Sequence, residues 1–429
     1  MSVAADQVAG RRGLWERVAA VEVETKVALA AFAAIALHVL DDTFFQPEPG
    51  TSVADHLAAG LIPLAVLVGA AAAYPRVRPG LRAVLAISLG VLGIVMGSVE
   101  AVYYGPDEGL SGDDFSGLLA AVAGLVLVLL GVRTAWRSRK LDDSRPRRYG
   151  RRLLLGVVWL LAAYFVLFPL GLSYGFTHAA RLETPKGNLG APYEPVSFES
   201  RDGLRLDGWF VRPKNGATVI VYPGKKGTQR HARMLVRHGY GVLVFDRRGE
   251  GTSEGDPNTL GWGFNDDLHG ALAFLRGRDD VDPNRIGGLG LSVGGEALLQ
   301  TAGETKALGA VVSEGAGTRS SREDVIHVSL RRVPEVMITG VLTAGTAVFS
   351  NRLPPPSLKD LAGRIETPAF FIYAAHGQGG ENNNPEYYRA ARGPKQLWRV
   401  DTTHTHGLSA RPREYEQRVV RFFDRSLRG

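Results

Sequence analysis

The residue pattern with the clearest chemical meaning is 290–294 (G-L-S-V-G), which Gly295 follows directly. A predicted strand at 285–290 precedes the serine, and a predicted helix at 294–303 follows it. A sharp strand-to-helix turn strains the serine backbone and exposes its hydroxyl, while the glycines leave room for neighbouring backbone. The N-terminus of the helix carries a partial positive charge that favours a developing oxyanion. We therefore predict that Ser292 is a nucleophile.

An oxyanion that forms when a serine attacks a carbonyl group needs backbone N–H donors around it. Val293, directly after the serine, is predicted to supply one of them. The second is expected after the β-branched run 218–222, in the turn 222–225 (YPGK), and we assign it to the N–H of Lys225. The alternative is that 222–225 is an ordinary turn at the end of a strand.

Three motifs give the C-terminal part of the chain, from about Val196 to the end, a resemblance to the α/β-hydrolase superfamily. Besides the serine motif, residues 245–253 (FDRRGEGTS) resemble the loop after the fourth strand of that fold, and 282–286 (DPNRI) lead into the serine turn as they do there. Its serine-aminopeptidase-like and dienelactone-hydrolase-like branches are the most similar. The resemblance implies structural ion pairs for Asp246 and Arg248.

The catalytic base of this superfamily is a histidine that comes late in the chain, after the acid. Two candidates stand close together, His404 and His406. Similar sequences place the histidine shortly before a helix that begins with a Pro-Arg/Glu-x-Tyr pattern, and 411–415 (RPREY) supplies such a start. That register favours His404 and makes His406 a surface neighbour, although Thr403 replaces the usual preceding glycine.

The acid of the triad is expected in the loop after the strand that ends near His376. The loop contains no Asp, so Glu381 is the candidate, since a glutamate can hold the imidazole tautomer as an aspartate does. Glu381 could also be a solvated loop carboxylate. Glu314, after the preceding strand, is the alternative acid, whereas Asp401 lies too close to His404 in sequence.

Alternating strands and helices must position these residues. Besides the segments already given, the pattern predicts a hairpin of strands 196–200 and 204–212. It also predicts strands at 241–245, 308–313, 368–374 and 396–400, and helices at 231–238, 266–276 and 413–427. Buried runs alternating with helices predict a mostly parallel sheet with helices on both faces. The fold class is therefore α/β for this half, as the resemblance also implies.

One long segment, 318–367, interrupts this alternation. It contains an apolar helical stretch at 333–349, followed by Leu353 and three prolines. Because a segment of this length inside a compact domain usually has a function, we predict a small lid over the site. The alternative is a helix packed on the sheet with a long connection.

The N-terminal half is predicted to be an all-α bundle of about five membrane-spanning helices. The apolar stretches are 26–45, 57–74, 83–104, 115–136 and 153–177, each near the length that a bilayer requires. Asp41 and Asp42 are expected to end the first span. Gly90, Gly93, Gly97 and Gly124 should let helices approach closely, and His38 should lie near a helix end or bond a neighbour. A buried helical core of a soluble protein is the alternative.

Basic and acidic loops alternate along this half, which predicts its orientation. Arg11, Arg12, Arg17 and Lys26 stand before the first span, and 76–82 and 133–152 are basic, whereas 41–55 and 100–114 carry acidic residues. Basic loops stay in the cytoplasm. The expected organisation is a cytoplasmic segment at 1–25, a transmembrane region at 26–178, a linker at 179–195 and an extracellular hydrolase domain at 196–429. The expected location is the cell membrane, as a multi-pass protein.

Composition excludes several classes of function. The chain has no cysteine, which excludes disulfides and thiolate metal sites. Its net charge of +7 comes from basic residues beside apolar runs, which face anionic lipid more often than nucleic acid. We expect no nucleic-acid partner, no metal and no cofactor.

These residues together predict a membrane-anchored serine hydrolase that cleaves an ester or a small peptide or amide through Ser292, His404 and Glu381. The expected partners are a small-molecule ester, peptide or lipid substrate and the lipid bilayer. Two alternatives remain open: an acyltransferase or thioesterase acting on lipid-derived acyl groups, and a catalytically inert membrane protein.

Overall fold

The structure is a computed structural model that describes residues 22–99, 112, 114–137, 144–179, 181, 188–224, 228–324 and 332–428. It divides into two compact units, the first ending at Gly175 and the second beginning at Phe176. Residues 48–51 are assigned to the second unit, and 348–351 to the first.

The first unit contains five helices that are long and apolar enough to cross a membrane. They are α1 (Glu22–Phe45), α2 (Val53–Ala73), α3 (Pro79–Ser98), α4 (Asp114–Arg137) and α5 (Pro146–Thr177). Each covers most of a stretch predicted from the sequence. Asp41 and Asp42 lie in the π-helical turn that ends α1, as expected for carboxylates at the end of a span.

Small residues bring α3 and α4 together. A Cβ atom on Gly90 would lie 2.6 Å from the carbonyl oxygen of Gly124, and a Cβ atom on Gly97 would collide with the carbonyl of Gly117. Gly93 lies against Ile35 of α1 in the same way. The predicted close approach is confirmed for Gly90, Gly97 and Gly124, because each faces backbone atoms of the other helix and leaves no room for a Cβ atom. His38 lies 3.1 Å from the hydroxyl of Ser116, a neighbour on α4.

The second unit is built on an eight-stranded sheet. The strands are β1 (Glu194–Glu199), β2 (Arg205–Val211), β3 (Thr218–Tyr222), β4 (Gly241–Phe245), β5 (Ile286–Leu291), β6 (Ala310–Glu314), β7 (Ala369–His376) and β8 (Lys395–Thr403). Their order is β1-β2-β4-β3-β5-β6-β7-β8. β1 and β2 form the predicted antiparallel hairpin, β2 pairs antiparallel with β4, and the remaining pairs are parallel.

Helices cover both faces of this sheet. They are α6 (Gln229–Arg237), α7 (Phe264–Arg276), α8 (Val293–Glu304), α9 (Ser321–Asp324), α10 (Val333–Phe349), α11 (Leu358–Ala362), α12 (Asn384–Ala390), α13 (Gly407–Ala410) and α14 (Pro412–Leu427). One core cluster joins the sheet to α7, α8, α11 and α12, and a second joins it to α6 and α14. The predicted α/β architecture with a mostly parallel sheet is confirmed.

The segment predicted as a lid has two parts in the structure. Leu358 and Leu361 of α11 are buried in the core beside α8, so this end of the segment belongs to the body of the unit. α10 is different, since only Gly345 and Thr346 are buried along its length. A covering role therefore remains a prediction for α10, and residues 325–331 of the segment lie outside the described residues.

Candidate functional site

Ser292 occupies the turn between β5 and α8, at the carboxyl edge of the sheet. Its backbone has φ 53° and ψ −125°, a conformation that a non-glycine residue adopts only under strain. Its N–H donates to the carbonyl of Glu314 at 2.8 Å, which ties the turn to β6. A Cβ atom on Gly294 would lie 2.6 Å from the carbonyl oxygens of Tyr222 and Pro223. The glycines of the motif therefore permit a tight turn, as predicted from their spacing.

His404 is the histidine that the structure brings to this serine. Its Nε2 lies 2.9 Å from the hydroxyl of Ser292. The ring sits in the loop after β8, beside Thr405, whose φ is 54°. His406 is exposed, and its Nδ1 lies 2.7 Å from the carbonyl oxygen of His404. Of the two candidates, His404 is the one whose ring contacts Ser292.

Glu381 lies behind the imidazole ring. Its Oε2 is 2.8 Å from Nδ1 of His404, and its side chain is fully buried. Oε1 accepts a hydrogen bond from the backbone N–H of Ala374 at 2.6 Å. The side-chain amide of Asn384 donates to the carbonyl of Glu381 and fixes the short helical turn that carries it. Both carboxylate oxygens of Glu381 therefore have hydrogen-bond partners, Nδ1 of His404 and the N–H of Ala374.

These contacts determine the tautomer of His404. An ionised carboxylate only accepts hydrogen bonds, so Nδ1 carries the proton and Nε2 presents a lone pair to the hydroxyl of Ser292. The hydrogen bond to Glu381 is the main cause that raises the pKa of His404, and the negative charges of Glu381, Glu296 and Glu314 act in the same direction. The arrangement stabilises the imidazolium that forms when the ring accepts a proton.

Glu314, the alternative acid, has other partners. Its Oε1 accepts from the N–H of Gly407 at 2.8 Å, and its Oε2 accepts from the hydroxyl of Tyr415 at 2.6 Å. Burial raises the pKa of this carboxyl. Because Gly407 begins α13, three residues after His404, Glu314 anchors the backbone that follows His404, and the contact with the ring is made by Glu381.

Two other polar residues considered from the sequence lie at the surface. His376 ends β7 and is exposed, with its Nε2 3.3 Å from a carboxylate oxygen of Asp401. The two therefore pair with each other, and Asp401 is not the partner of His404.

Glu296 is a site residue that the sequence reasoning missed. It lies one helical turn after Ser292 on α8 and is buried. Its Oε1 accepts from the N–H of Gly317 at 2.8 Å, and burial raises its pKa to about 7. When Glu296 is ionised, its negative charge raises the pKa of His404. The sequence could have indicated Glu296, because it is a carboxylate four residues after Ser292 on a helix that is predicted to pack against the sheet.

The expected oxyanion donors are described in part. Val293 begins α8 directly after Ser292. Lys225 lies outside the described residues, so its position remains a prediction. Its neighbour Gly224 is described, and a Cβ atom there would lie 3.1 Å from Cβ of Ser292 and 3.0 Å from the carbonyl oxygen of Leu291. The end of β3 therefore reaches the serine turn.

A buried ion-pair network supports that end of β3. Arg248 donates through Nε to Asp267 at 2.7 Å and through its other nitrogens to Asp202 at 2.8 and 2.9 Å. The hydroxyl of Tyr222, the last residue of β3, donates to the same Asp267 at 3.0 Å. The structural ion pair expected for Arg248 is confirmed, and its partner Asp267 on α7 was not identified from the sequence.

A cavity of about 360 Å³ lies between α10 and the loop that carries Glu381. Its walls include Leu260, Gly380 and one side of α10. Gly380 directly precedes Glu381. A Cβ atom on Gly261, next to Leu260, would lie 3.2 Å from Cβ of Val293. Two of its lining residues, Leu260 and Gly380, are thus sequence neighbours of Gly261 and Glu381, but Ser292 and His404 do not line it. Across the described ranges, no group of three or more His, Asp or Glu side chains has the arrangement of a metal site.

Comparison with known proteins agrees with this architecture. Residues 202–362 match the X-Pro dipeptidyl-peptidase (S15) family of serine peptidases. The chain is 36% identical to YfhR of Escherichia coli O157:H7 over 245 residues, which cover 53% of this chain and 80% of YfhR. It is 32% identical over 161 residues to the alpha/beta hydrolase domain-containing protein WAV2 of Arabidopsis thaliana, covering 34% of this chain and 49% of that protein.

Among solved structures, an esterase of Pyrococcus furiosus is similar, with a TM-score of 0.47 and 22% identity; the match covers 58% of this chain and 98% of the esterase. The sheet order, the S15 match and the relationship to YfhR lead to one assignment. The chain belongs to the α/β-hydrolase superfamily, in one family with YfhR, and is a hydrolase of the serine type.

Proposed function

We propose that the chain is a membrane-anchored serine hydrolase that cleaves an ester or amide bond through a Ser292–His404–Glu381 triad. The observation that carries the proposal is the continuous hydrogen-bonded chain from the serine hydroxyl through both ring nitrogens to the buried carboxylate, with distances of 2.9 and 2.8 Å. The substrate classes are small-molecule esters, peptides and lipid-derived esters.

In the proposed first half of the reaction, Nε2 of His404 takes the hydroxyl proton as Oγ of Ser292 attacks the substrate carbonyl carbon. The imidazolium is stabilised by Glu381, which remains ionised. The carbonyl oxygen becomes an oxyanion that the N–H groups of Val293 and Lys225 would bind. Loss of one such donor typically raises the barrier by about 2.7–4 kcal/mol. The imidazolium then protonates the leaving alcohol or amine, and an acyl-enzyme remains.

In the proposed second half, a water molecule replaces the leaving group. His404 takes a proton from the water, the resulting hydroxide attacks the acyl-enzyme, and collapse of the intermediate returns the proton to Oγ of Ser292. The products are a carboxylic acid and the alcohol or amine released earlier. The cycle uses only groups of this chain and water.

The test is covalent labelling of the full chain with a fluorophosphonate probe, which reacts with activated serines. The wild-type chain should be labelled, and Ser292→Ala should not be. Ser197→Ala, which removes an exposed hydroxyl of β1, is the matched control and should be labelled at the wild-type rate. Labelling of Ser292→Ala at the wild-type rate would contradict the proposal.

The proposed location of the hydrolase domain is outside the cell membrane, with the N-terminus in the cytoplasm. The support is the alternation of basic and acidic loops around five apolar helices. Alkaline phosphatase is active only outside the cytoplasm, so a fusion after Gly429 should be active. An active cytoplasmic reporter at the same position, together with inactive phosphatase, would reverse the orientation without affecting the triad.

A further inference from the structure

The buried carboxylate of Glu296 connects two elements of the site. Its backbone N–H donates to the carbonyl of Ser292 at 3.1 Å in the first turn of α8. The residue is 4% exposed, and its Oε1 accepts from the N–H of Gly317 at 2.8 Å. Glu296 therefore links the helix that follows Ser292 to residues 315–318, which come directly after β6 and which we call the bridging segment.

The bridging segment lies against the ring of His404. A Cβ atom on Gly315 would lie 3.1 Å from Cε1 and 3.2 Å from Nδ1 of His404. Gly315 has φ 76°, a value that glycine adopts without steric cost. The backbone of the bridging segment therefore forms a wall along the edge of the imidazole that faces Glu381.

The bridging segment also holds the loop that carries Glu381. The N–H of Thr318 donates to the carbonyl of Gly379 at 2.7 Å. On the other side of the loop, the side-chain amide of Asn384 donates to the carbonyl of Ala316 at 2.7 Å. Because Gly379 and Asn384 flank Glu381 in sequence, these hydrogen bonds attach the loop to the bridging segment on both sides of the carboxylate.

The hydrogen bond between Gly317 and Glu296 attaches this whole assembly to α8. A buried backbone N–H that loses its acceptor is costly, so the bridging segment would shift to regain a partner. Such a shift would move the wall beside His404 and the loop of Glu381 together, away from Ser292. A misplacement of about 1 Å in a catalytic group can lower a rate by about 10²-fold.

We propose that Glu296 is a positioning residue of the triad: its carboxylate fastens the bridging segment to α8, and the bridging segment keeps His404 and Glu381 in line with Ser292. This inference rests on the proposed serine hydrolase function and adds to it a residue that acts through Gly317 instead of on the substrate. The reach of the side chain, and not its charge, is the property that matters.

Two substitutions separate reach from charge. Glu296→Asp keeps the charge but shortens the side chain by one methylene group, which withdraws the acceptor from Gly317. Glu296→Gln loses the charge but keeps an oxygen at the original reach. Gln300→Asn is the matched control, because Gln300 is also buried on α8, its amide contacts Glu304 and Arg319, and it is shortened by the same methylene group.

The assay is kcat and KM of the full chain for p-nitrophenyl butyrate at pH 8, with kcat expressed per serine that reacts with fluorophosphonate. Glu296→Asp should lower kcat by roughly 10- to 100-fold and change KM by less than about twofold, since no substrate contact is altered. Glu296→Gln and Gln300→Asn should stay within about threefold of the wild-type kcat, because both keep the hydrogen bond to Gly317.

A second variant loosens the bridging segment from its other side and removes only a hydroxyl group. The hydroxyl of Tyr387 donates to the carbonyl of Gly317 at 2.9 Å. Tyr387→Phe should therefore lower kcat by about fivefold, the factor for one lost hydrogen bond, again with KM unchanged. Tyr388→Phe is its matched control, since the ring of Tyr388 packs on Phe371 and Lys395.

The inference is overturned if kcat of Glu296→Asp stays within threefold of the wild type. It is also overturned if Glu296→Gln loses as much as Glu296→Asp, which would assign the effect to charge, or if Gln300→Asn does, which would assign it to a general loosening of α8. If Glu296→Asp does not fold, equal kcat values for Tyr387→Phe and Tyr388→Phe overturn it. The proposed function would fail differently, through a wild-type chain that neither hydrolyses the ester nor reacts with fluorophosphonate.

Discussion

Replacing Glu381 by glutamine removes the negative charge of the proposed triad acid while keeping its size. The buried environment decides how the new amide orients. Oε1 of Glu381 accepts a hydrogen bond from the N–H of Ala374 at 2.6 Å, so the amide oxygen of Glu381→Gln should take that place. Its NH2 group then faces Nδ1 of His404. Nδ1 must accept, the proton moves to Nε2, and the ring presents N–H instead of a lone pair to Ser292.

The opposite amide orientation does not rescue the base. It would place the NH2 group against the N–H of Ala374, two donors facing each other in a buried position, at a cost of about 1–3 kcal/mol. The imidazolium would also lack its countercharge. A substitution of this kind in a serine triad lowers kcat by about 10⁴-fold, which corresponds to about 5 kcal/mol of barrier. We expect a loss of that size for Glu381→Gln.

The assay is kcat/KM for p-nitrophenyl butyrate at pH 8, with circular dichroism to verify folding. Glu314→Gln is the matched control, because Glu314 is an equally buried glutamate that contacts Gly407 and Tyr415 instead of the ring. It should lose less than about tenfold. The reasoning is refuted if Glu381→Gln stays within tenfold of the wild type while Glu314→Gln loses 10³-fold or more.

Three further predictions follow from the charges around the site. The raised pKa of His404 means that kcat/KM should increase with pH through an apparent pKa above 6.5, since only the neutral ring accepts a proton; Glu381→Gln should move this limb to lower pH. The pKa of Glu296 is about 7 in the folded state, against 4.5 for the unperturbed group, so the folded state binds the proton more tightly. The free energy of unfolding should therefore decrease by up to about 3 kcal/mol as the pH rises from 4.5 through 7. Glu296→Gln should abolish that decrease in heat-inactivation profiles, with a smaller gain at pH 8 because Arg319 loses part of its countercharge. Arg248→Met should lower stability by about 3–5 kcal/mol in the same measurement, because it leaves Asp267 buried and unpaired; a loss below 1 kcal/mol would contradict this.

The fold was largely predictable because local sequence and tertiary environment agree in most elements. β3 and β4 were predicted with their observed ends, since each is a short β-branched run that is buried on both sides and bounded by turn residues. The five apolar helices were predictable for a similar reason, because length and composition alone define a span. Their exact ends, such as the longer start of α5 at Pro146, depend on contacts that composition does not specify.

A site residue could be predicted where its segment contained only one or two residues of the required type. Glu381 was the sole carboxylate in its loop, and the histidine was chosen by its distance from the α14 start. Glu296 and Asp267 were not identified, since their roles depend on burial beside residues distant in sequence. The sequence also did not show that only part of the predicted lid segment packs in the core. The packing of α11 against α8 is a tertiary contact between two short apolar stretches, which local sequence does not reveal.

The central claim, a covalent acyl-enzyme on Ser292, can be observed directly by mass spectrometry. The full chain is mixed with p-nitrophenyl butyrate, quenched with acid within milliseconds and digested with trypsin. Cleavage after Arg285 and Lys306 releases a peptide, 286–306, in which Ser292 is the one serine. The account predicts a butyryl group on Ser292 of that peptide while substrate turns over. Turnover with an unmodified 286–306 peptide and the acyl group on another residue would contradict it.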